Sequence, residues 1–273
     1  MTARPSAGTA QHDRAARRKR SWLGLFVPSL LAFAVLIALG TWQIERKAWK
    51  GALIASLTER LAAPPQTLAP AVDWGKLDRA RDEYRRVRFA ATFDNDREAR
   101  VFAAARAFRP DVAGPGYWVF TPARRADGSI IVVNRGFVPD GRRDPKSRAE
   151  GQISQPVEII GALRWPDERY WFTPADDPAH NLWFTRDPAA IAAAKGLGPR
   201  PDAVAPFYVE QEASIPPGGL PQPGKLVVTL PDNHLQYAVT WYGLAAVLAA
   251  VFGVWTFTSG RRTAPAKPPQ TDG

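Results

Sequence analysis

The side chain with the widest chemical scope stands in "DNHLQYAVTWYGLAA", where His234 sits on the threshold of a long apolar run, in a chain of 273 residues with only three histidines. If a helix starts near it, Tyr237 follows at i+3, Ala238 at i+4 and Trp241 at i+7, all on roughly one face. A neutral imidazole beside an aromatic wall suits axial ligation of a haem iron. The same histidine suits the headgroup layer of a membrane, hydrogen-bonded to lipid or to Asn233. The residues alone leave both readings open.

Two arginines are weighed beside it. Arg135 lies in "VVNRGFVP" and Arg46 in "TWQIERKAWK". A guanidinium takes a carboxylate through two parallel hydrogen bonds, which suits a haem propionate or a partner protein. The alternatives are a structural Arg135 at a strand end shaped by Asn134 and Gly136, and an interfacial anchor made by Trp42, Gln43 and Arg46.

Other chemistry is thinly represented. There is no cysteine and Met1 is the only methionine, which removes disulfides, thiolate zinc sites, CxxCH haem attachment and soft ligands for Cu(I). No GxSxG or HExxH motif occurs, and no glycine-rich phosphate loop precedes a helix, so an enzyme is the weakest class. Asp177 and His180 in "ADDPAHNLWF" resemble two metal ligands, but no second cluster completes the sphere, and a polar turn bounded by proline is the stronger reading.

Long apolar segments position these residues. Ser21 to Ile44 is 24 residues without a charge and Leu235 to Gly260 is 26, each long enough at about 1.5 Å per residue to cross a hydrocarbon layer of roughly 30 Å. The first is too long for the core of a cleaved signal peptide, although Ala38-Leu39-Gly40 has the small-x-small form. Of the net charge of +10, residues 1–20 carry +5 and residues 261–273 carry +2. Basic tails beside both spans place both termini in the cytoplasm and the intervening chain outside. They also weaken a nucleic-acid reading of the basic composition.

Between the spans, Leu53, Leu57 and Leu61 keep helical spacing until Pro64-Pro65. "YRRVRFAATFD" alternates as a strand, with "REARVFAAARAF" as its expected partner. "GYWVFTPARRADGSIIVVNRGFVP" predicts a hairpin about Asp127-Gly128. "QPVEIIGALRWP", "NLWFTR" and "APFYVEQEA" add strands, and "DPAAIAAAKG" predicts a short helix capped by Asp187 and stopped at Gly196. The expected fold class is membrane α+β: two transmembrane helices flanking a mostly antiparallel, barrel- or sandwich-like external β domain. Its expected divisions are a cytoplasmic tail 1–20, span 21–44, helical stalk 45–65, external domain 66–234, span 235–260 and tail 261–273.

Six segments recur together in a known family. "LGTWQIERKAWK", "EYRRVRFAATFD", "GPGYWVFTP", "VVNRGFVP", "NLWFTRD" and "NHLQYAVTWYGLA" resemble, in order, the Surfeit-locus family of cytochrome oxidase assembly factors, over about Gly40 to Ala245. The resemblance implies a two-span inner-membrane protein that assists maturation of subunit I of haem-copper oxidases. Bacterial members are similar to haem a binding proteins acting between haem A synthase and subunit I. By that similarity His234 and Trp241 become haem-site residues; the haem reading makes His234 the axial ligand and adds Tyr237 packing on the macrocycle and Arg135 or Arg46 meeting propionates. The Ala- and Arg-rich composition favours a bacterial member, with its external domain in the periplasm. The competing expectation is a scaffold that holds nascent subunit I without binding haem.

Overall fold

The computed structural model describes residues 7–103, 114–197, 204–212, 215–224, 226, 228 and 232–261. They fall into two compact units, one of residues 1–53 with 230–273 and the other of residues 54–229. The outermost parts of both expected tails, and "REARVFAAARAF" from Ala104 on, lie outside the described residues.

The first helix, α1, runs unbroken over Ala7–Ala62 and carries Pro28 within it. The apolar segment and the amphipathic stretch after it are therefore one helix. It stops before Pro64 and Pro65, whose rings fix φ and remove two donors.

Unit 54–229 is built of eight strands: β1 (Gln66–Thr67), β2 (Arg86–Phe93), β3 (Ala99–Ala103), β4 (Gly116–Arg124), β5 (Ile130–Pro139), β6 (Val157–Arg164), β7 (Leu182–Trp183) and β8 (Val204–Gln211). The order β1-β2-β6-β8-β5-β4-β3-β7, with a further β2–β4 pairing, closes β2, β6, β8, β5 and β4 into a barrel. Closure rests on Thr92 opposite Arg124 and Phe93 opposite Ala123. Within the ring only β5–β8 is parallel. A closed ring removes the exposed edges that an open sheet would leave.

The hairpin forms about Asp127-Gly128, with Gly128 at φ +83° and Asp127 Oδ1 accepting the Ser129 N–H at 2.9 Å. Positive φ at that turn is what glycine permits at little cost. The strand expected to pair with β2 does not: β3 joins β4 and β7, and the partners of β2 are β1, β6 and β4. The polar link between β2 and β3 is a 3-10 turn at Asn95–Arg97 rather than a tight hairpin turn. "NLWFTR" contributes only the two-residue β7.

Two short helices, α2 (Arg79–Asp82) and α3 (Pro188–Ala194), decorate the barrel. The Asp187 side chain accepts from the N–H groups of Ala189 and Ala190, and Pro188 opens α3. These features satisfy donors that the first helical turn leaves free. Ile191 of α3 joins Val132, Phe120, Trp183 and Tyr208 in one buried cluster, Ile131 and Val133 line a second with Phe89, Ile159 and Phe207, and Ile130 packs in a third with Ala192 and Leu197. The run Ile130–Val133 is continuous rather than alternating because both faces of β5 are covered.

The unit also buries charge. Arg148 Nη2 donates to Glu98 Oε1 at 2.5 Å, with side chains 1% and 4% exposed. Arg148 Nε donates to the Arg142 carbonyl at 3.2 Å.

The closing helix, α4, spans His234–Arg261. It and residues 24–62 of α1 each contain an apolar window of membrane-spanning length, and the two windows are only 11% and 6% buried. That exposure separates them from core helices of a soluble protein, which are covered on their apolar faces.

Candidate functional site

In unit 1–53 with 230–273, the less exposed positions of α1 include Ser29, Phe33, Leu36, Gly40, Gln43 and Lys47, at steps of four and three. Those of α4 include His234, Ala238, Trp241, Ala245, Leu248, Phe252 and Trp255, at the same steps. Alternating steps of this kind keep one seam facing a partner helix. The contacts run in opposite directions along the two helices, from Phe26–Phe252 through Thr41–Tyr242 to Gln43–His234. The pair is antiparallel.

Small residues set its closeness. Ala238 and Ala245 are each 1% exposed, and the Tyr242 ring lies where a Cβ on Gly40 would meet it at 2.7 Å. Thr41 Oγ1 and Tyr242 Oη are 3.1 Å apart. Packing of small residues and side-chain hydrogen bonds are what hold helices together where no water is displaced. Gly40→Leu is therefore expected to weaken the pair by about 1–3 kcal/mol through overpacking. Tyr242→Phe, which loses only the hydroxyl contact, is expected to cost about 0.6 kcal/mol. Thermal unfolding of both variants in one detergent, followed by tryptophan fluorescence, measures the difference; equal midpoints would refute the close approach at Gly40.

His234 opens α4 at one end of this seam. Its backbone N–H donates to Asp232 Oδ1 at 3.2 Å, and the Tyr237 N–H reaches the Asn233 carbonyl at 3.2 Å. The ring Nδ1 lies 2.8 Å from Gln43 Oε1. An amide oxygen can only accept, so Nδ1 carries the hydrogen in this contact, and in the neutral ring the lone pair is then on Nε2. That tautomer presents Nε2 as a ligand.

The residues singled out from the sequence are partly brought together. His234 and Trp241 share the seam, whereas Tyr237 is 54% exposed. At 3.6 residues per turn, i+7 falls about 20° from the reference side chain and i+3 about 60°, enough to turn Tyr237 out of a narrow seam. Arg46, on α1, is exposed and stacks on its own helix, with the guanidinium 4.2 Å from the Trp49 ring centroid.

Arg135 belongs to the barrel unit and is 3% exposed. Its guanidinium donates to Asn95 Oδ1 at 3.0 Å and to the Gly151 carbonyl at 2.5 Å, and lies 4.4 Å from the Phe93 ring centroid. Burial, offset in part by Glu98 and reinforced by Arg148, lowers its pKa to about 10. Asn134 Oδ1 accepts the Gly136 N–H at 3.1 Å, and Gly136 takes φ +123° against the Gln222 carbonyl. These are the surroundings of an arginine that organises a strand end.

His180 and Asp177 form a capped turn, Nδ1 to Oδ2 at 2.6 Å. Among the described residues no three histidine, aspartate or glutamate side chains gather as a metal site. A haem asks for less, since its macrocycle supplies the equatorial nitrogens and the protein only axial ligands. One imidazole whose Nδ1 is held by Gln43 and an indole on the same seam fit that requirement. The contact that sequence reasoning missed is Gln43–His234. Its one local signal is that Gln43 and His234 each lie within a residue or so of the end of a charge-free run.

The fold and this helix pair define a class: membrane proteins in which a small β-barrel domain is inserted between two apolar helices. A profile of the SURF1 family matches residues 30–246, and the chain belongs to that family. It is 34% identical to Surfeit locus protein 1 of Rattus norvegicus, over 96% of this chain and 81% of that one. It is 37% identical to Surfeit locus protein 1 of Homo sapiens, over 82% and 73%, and 34% identical to a SURF1-like protein of Monosiga brevicollis, over 90% and 93%. Membership implies a role in cytochrome c oxidase assembly.

Proposed function

We propose that the protein binds haem a transiently at the outer end of the helix pair and assists its delivery to, or retention in, subunit I of a haem-copper oxidase. His234 is the axial ligand in this reading, Trp241 and Tyr237 pack on the macrocycle, and the exposed Arg46 meets propionates. Arg135 is left to the barrel, where it is buried and already donates to Asn95 and to the Gly151 carbonyl. The observation that carries the reading is the 2.8 Å contact of His234 Nδ1 with Gln43, which leaves Nε2 as the ligating atom. The upstream partner is haem A synthase and the surrounding solvent is membrane lipid. Basic tails beside both spans support cytoplasmic termini and a periplasmic barrel in a bacterial inner membrane.

A scaffold reading, in which the protein holds nascent subunit I without haem, is favoured by a different observation. Tyr170, Trp171 and Phe172 are 57%, 95% and 66% exposed on one turn, an apolar tip suited to a protein contact. Full-length protein purified from cells co-expressing haem A synthase separates the two. A haem a absorption spectrum with near-stoichiometric pigment supports delivery. Capture of subunit I by haem-free protein, with haem A synthesis blocked, supports the scaffold and counts against delivery.

A further inference from the structure

The two ends of the His234 contact are 191 residues apart in the chain, and among the described residues Gln43 carries the one side-chain acceptor given to the imidazole. Asp232 accepts the backbone N–H of His234, not the ring. Gln43 lies on the seam of α1, three residues beyond Gly40, where the helices approach closely. At the end of a charge-free run, an unpaired imidazole N–H is costly, so a dedicated acceptor there fixes both the tautomer and the plane of the ring.

We propose that Gln43 is the positioning residue of the haem site: its Oε1 holds the Nδ1–H of His234 and thereby aims Nε2 at the iron. This rests on the haem reading above. The chemical choice of partner matters as well as its place. A carboxylate in this position would draw the Nδ1 proton, make the imidazole more basic and strengthen its bond to ferric iron. A neutral amide orients the ring without that gain. Such a ligand is held in the right geometry yet bound no more tightly than a neutral imidazole allows, which suits a protein that must release what it binds. Orientation and lability are thus set by one side chain on the opposite helix.

The test uses the full chain in lipid nanodiscs, co-expressed with haem A synthase, as wild type, Gln43→Leu, Gln43→Glu and His234→Ala. Pigment per protein, the rate of haem loss to apomyoglobin and the midpoint potential are measured, with thermal unfolding of the haem-free forms as a check on folding. Gln43→Leu is expected to lower affinity about 10–100-fold, the usual effect of removing a group that orients a metal ligand. Gln43→Glu is expected to keep the pigment, slow its loss and shift the potential negative. A purely structural Gln43 would alter unfolding in both variants and move neither the potential nor the loss rate of the glutamate form.

If Gln43→Leu matches wild type in affinity, loss rate and potential while His234→Ala loses its pigment, the positioning role is wrong and the haem reading survives. Wild type that carries no haem overturns both. Should Gln43→Leu fail to accumulate, the glutamate variant decides alone, and an unchanged potential with an unchanged loss rate overturns the proposal.

Discussion

His234→Ala, purified from cells that make haem A, is expected to arrive without the haem a spectrum of the wild type and with its affinity reduced by more than about 100-fold, beyond the usual loss for a group that merely orients a ligand. The reason for so large an effect is the scarcity of substitutes. The chain has no cysteine, and its only thioether is Met1. His180 lies in the barrel unit, with its Nδ1 already against Asp177. The variant leaves the rest of the seam in place, including Ala238, Trp241 and the Gly40–Tyr242 contact, so the haem-free protein should still insert and unfold near the wild-type temperature. Trp241→Leu makes the useful comparison, because it removes an apolar wall and leaves the ligand. It should lower occupancy less and shift the absorption bands. An unchanged spectrum and pigment-to-protein ratio in His234→Ala would remove the histidine from the site.

Glu98→Ala is expected to destabilise the barrel unit by about 3–5 kcal/mol, because it leaves a buried guanidinium without its counter-charge. Arg148 is held by Glu98 Oε1 at 2.5 Å in a setting where both side chains are almost fully covered. Its Nη1 and the second oxygen of Glu98 have no hydrogen-bond partner among the described residues, so there is little to compensate a lost contact. Arg135 feels the same carboxylate: Glu98 acts against the lowering of its pKa, while Arg148 adds to it. Removing Glu98 therefore leaves two buried cations in mutual repulsion. Against a total of about 5–15 kcal/mol for an ordinary domain, that loss is a large fraction. Glu98→Gln keeps an acceptor for Arg148 and should recover part of it. Urea unfolding of the full chain in detergent, read by circular dichroism of the β signal, measures both; wild-type midpoints in Glu98→Ala would show that the pair contributes nothing.

Much of the architecture was legible because its signals are local. Charge-free runs of 24 and 26 residues mark helices of spanning length whatever surrounds them. Asp127-Gly128 and the Asp187, Pro188 and Gly196 punctuation act through backbone geometry within a few residues. The family motifs are local strings as well. What failed was the pairing of β2 with β3, which adjacency suggested: β2 pairs with β6 and β3 with β4, across segments distant in the chain. Arg135 was left open between structure and binding for the same reason: its acceptors, Asn95 and the Gly151 carbonyl, are distant in the chain.

The sequence by itself determined that this chain has two helices long and apolar enough for a membrane, a β-rich domain between them, and a histidine sharing a helical face with Trp241. Periodicity carries that information, since each residue's azimuth on a helix follows from its number. Only the tertiary structure decided that this face is turned onto α1, that Gln43 meets the imidazole, that Tyr237 faces outward and that β2 and β4 close the ring. Each of those depends on segments brought together over long loops and fixed by mutual packing, and no stretch of sequence encodes its distant partner locally.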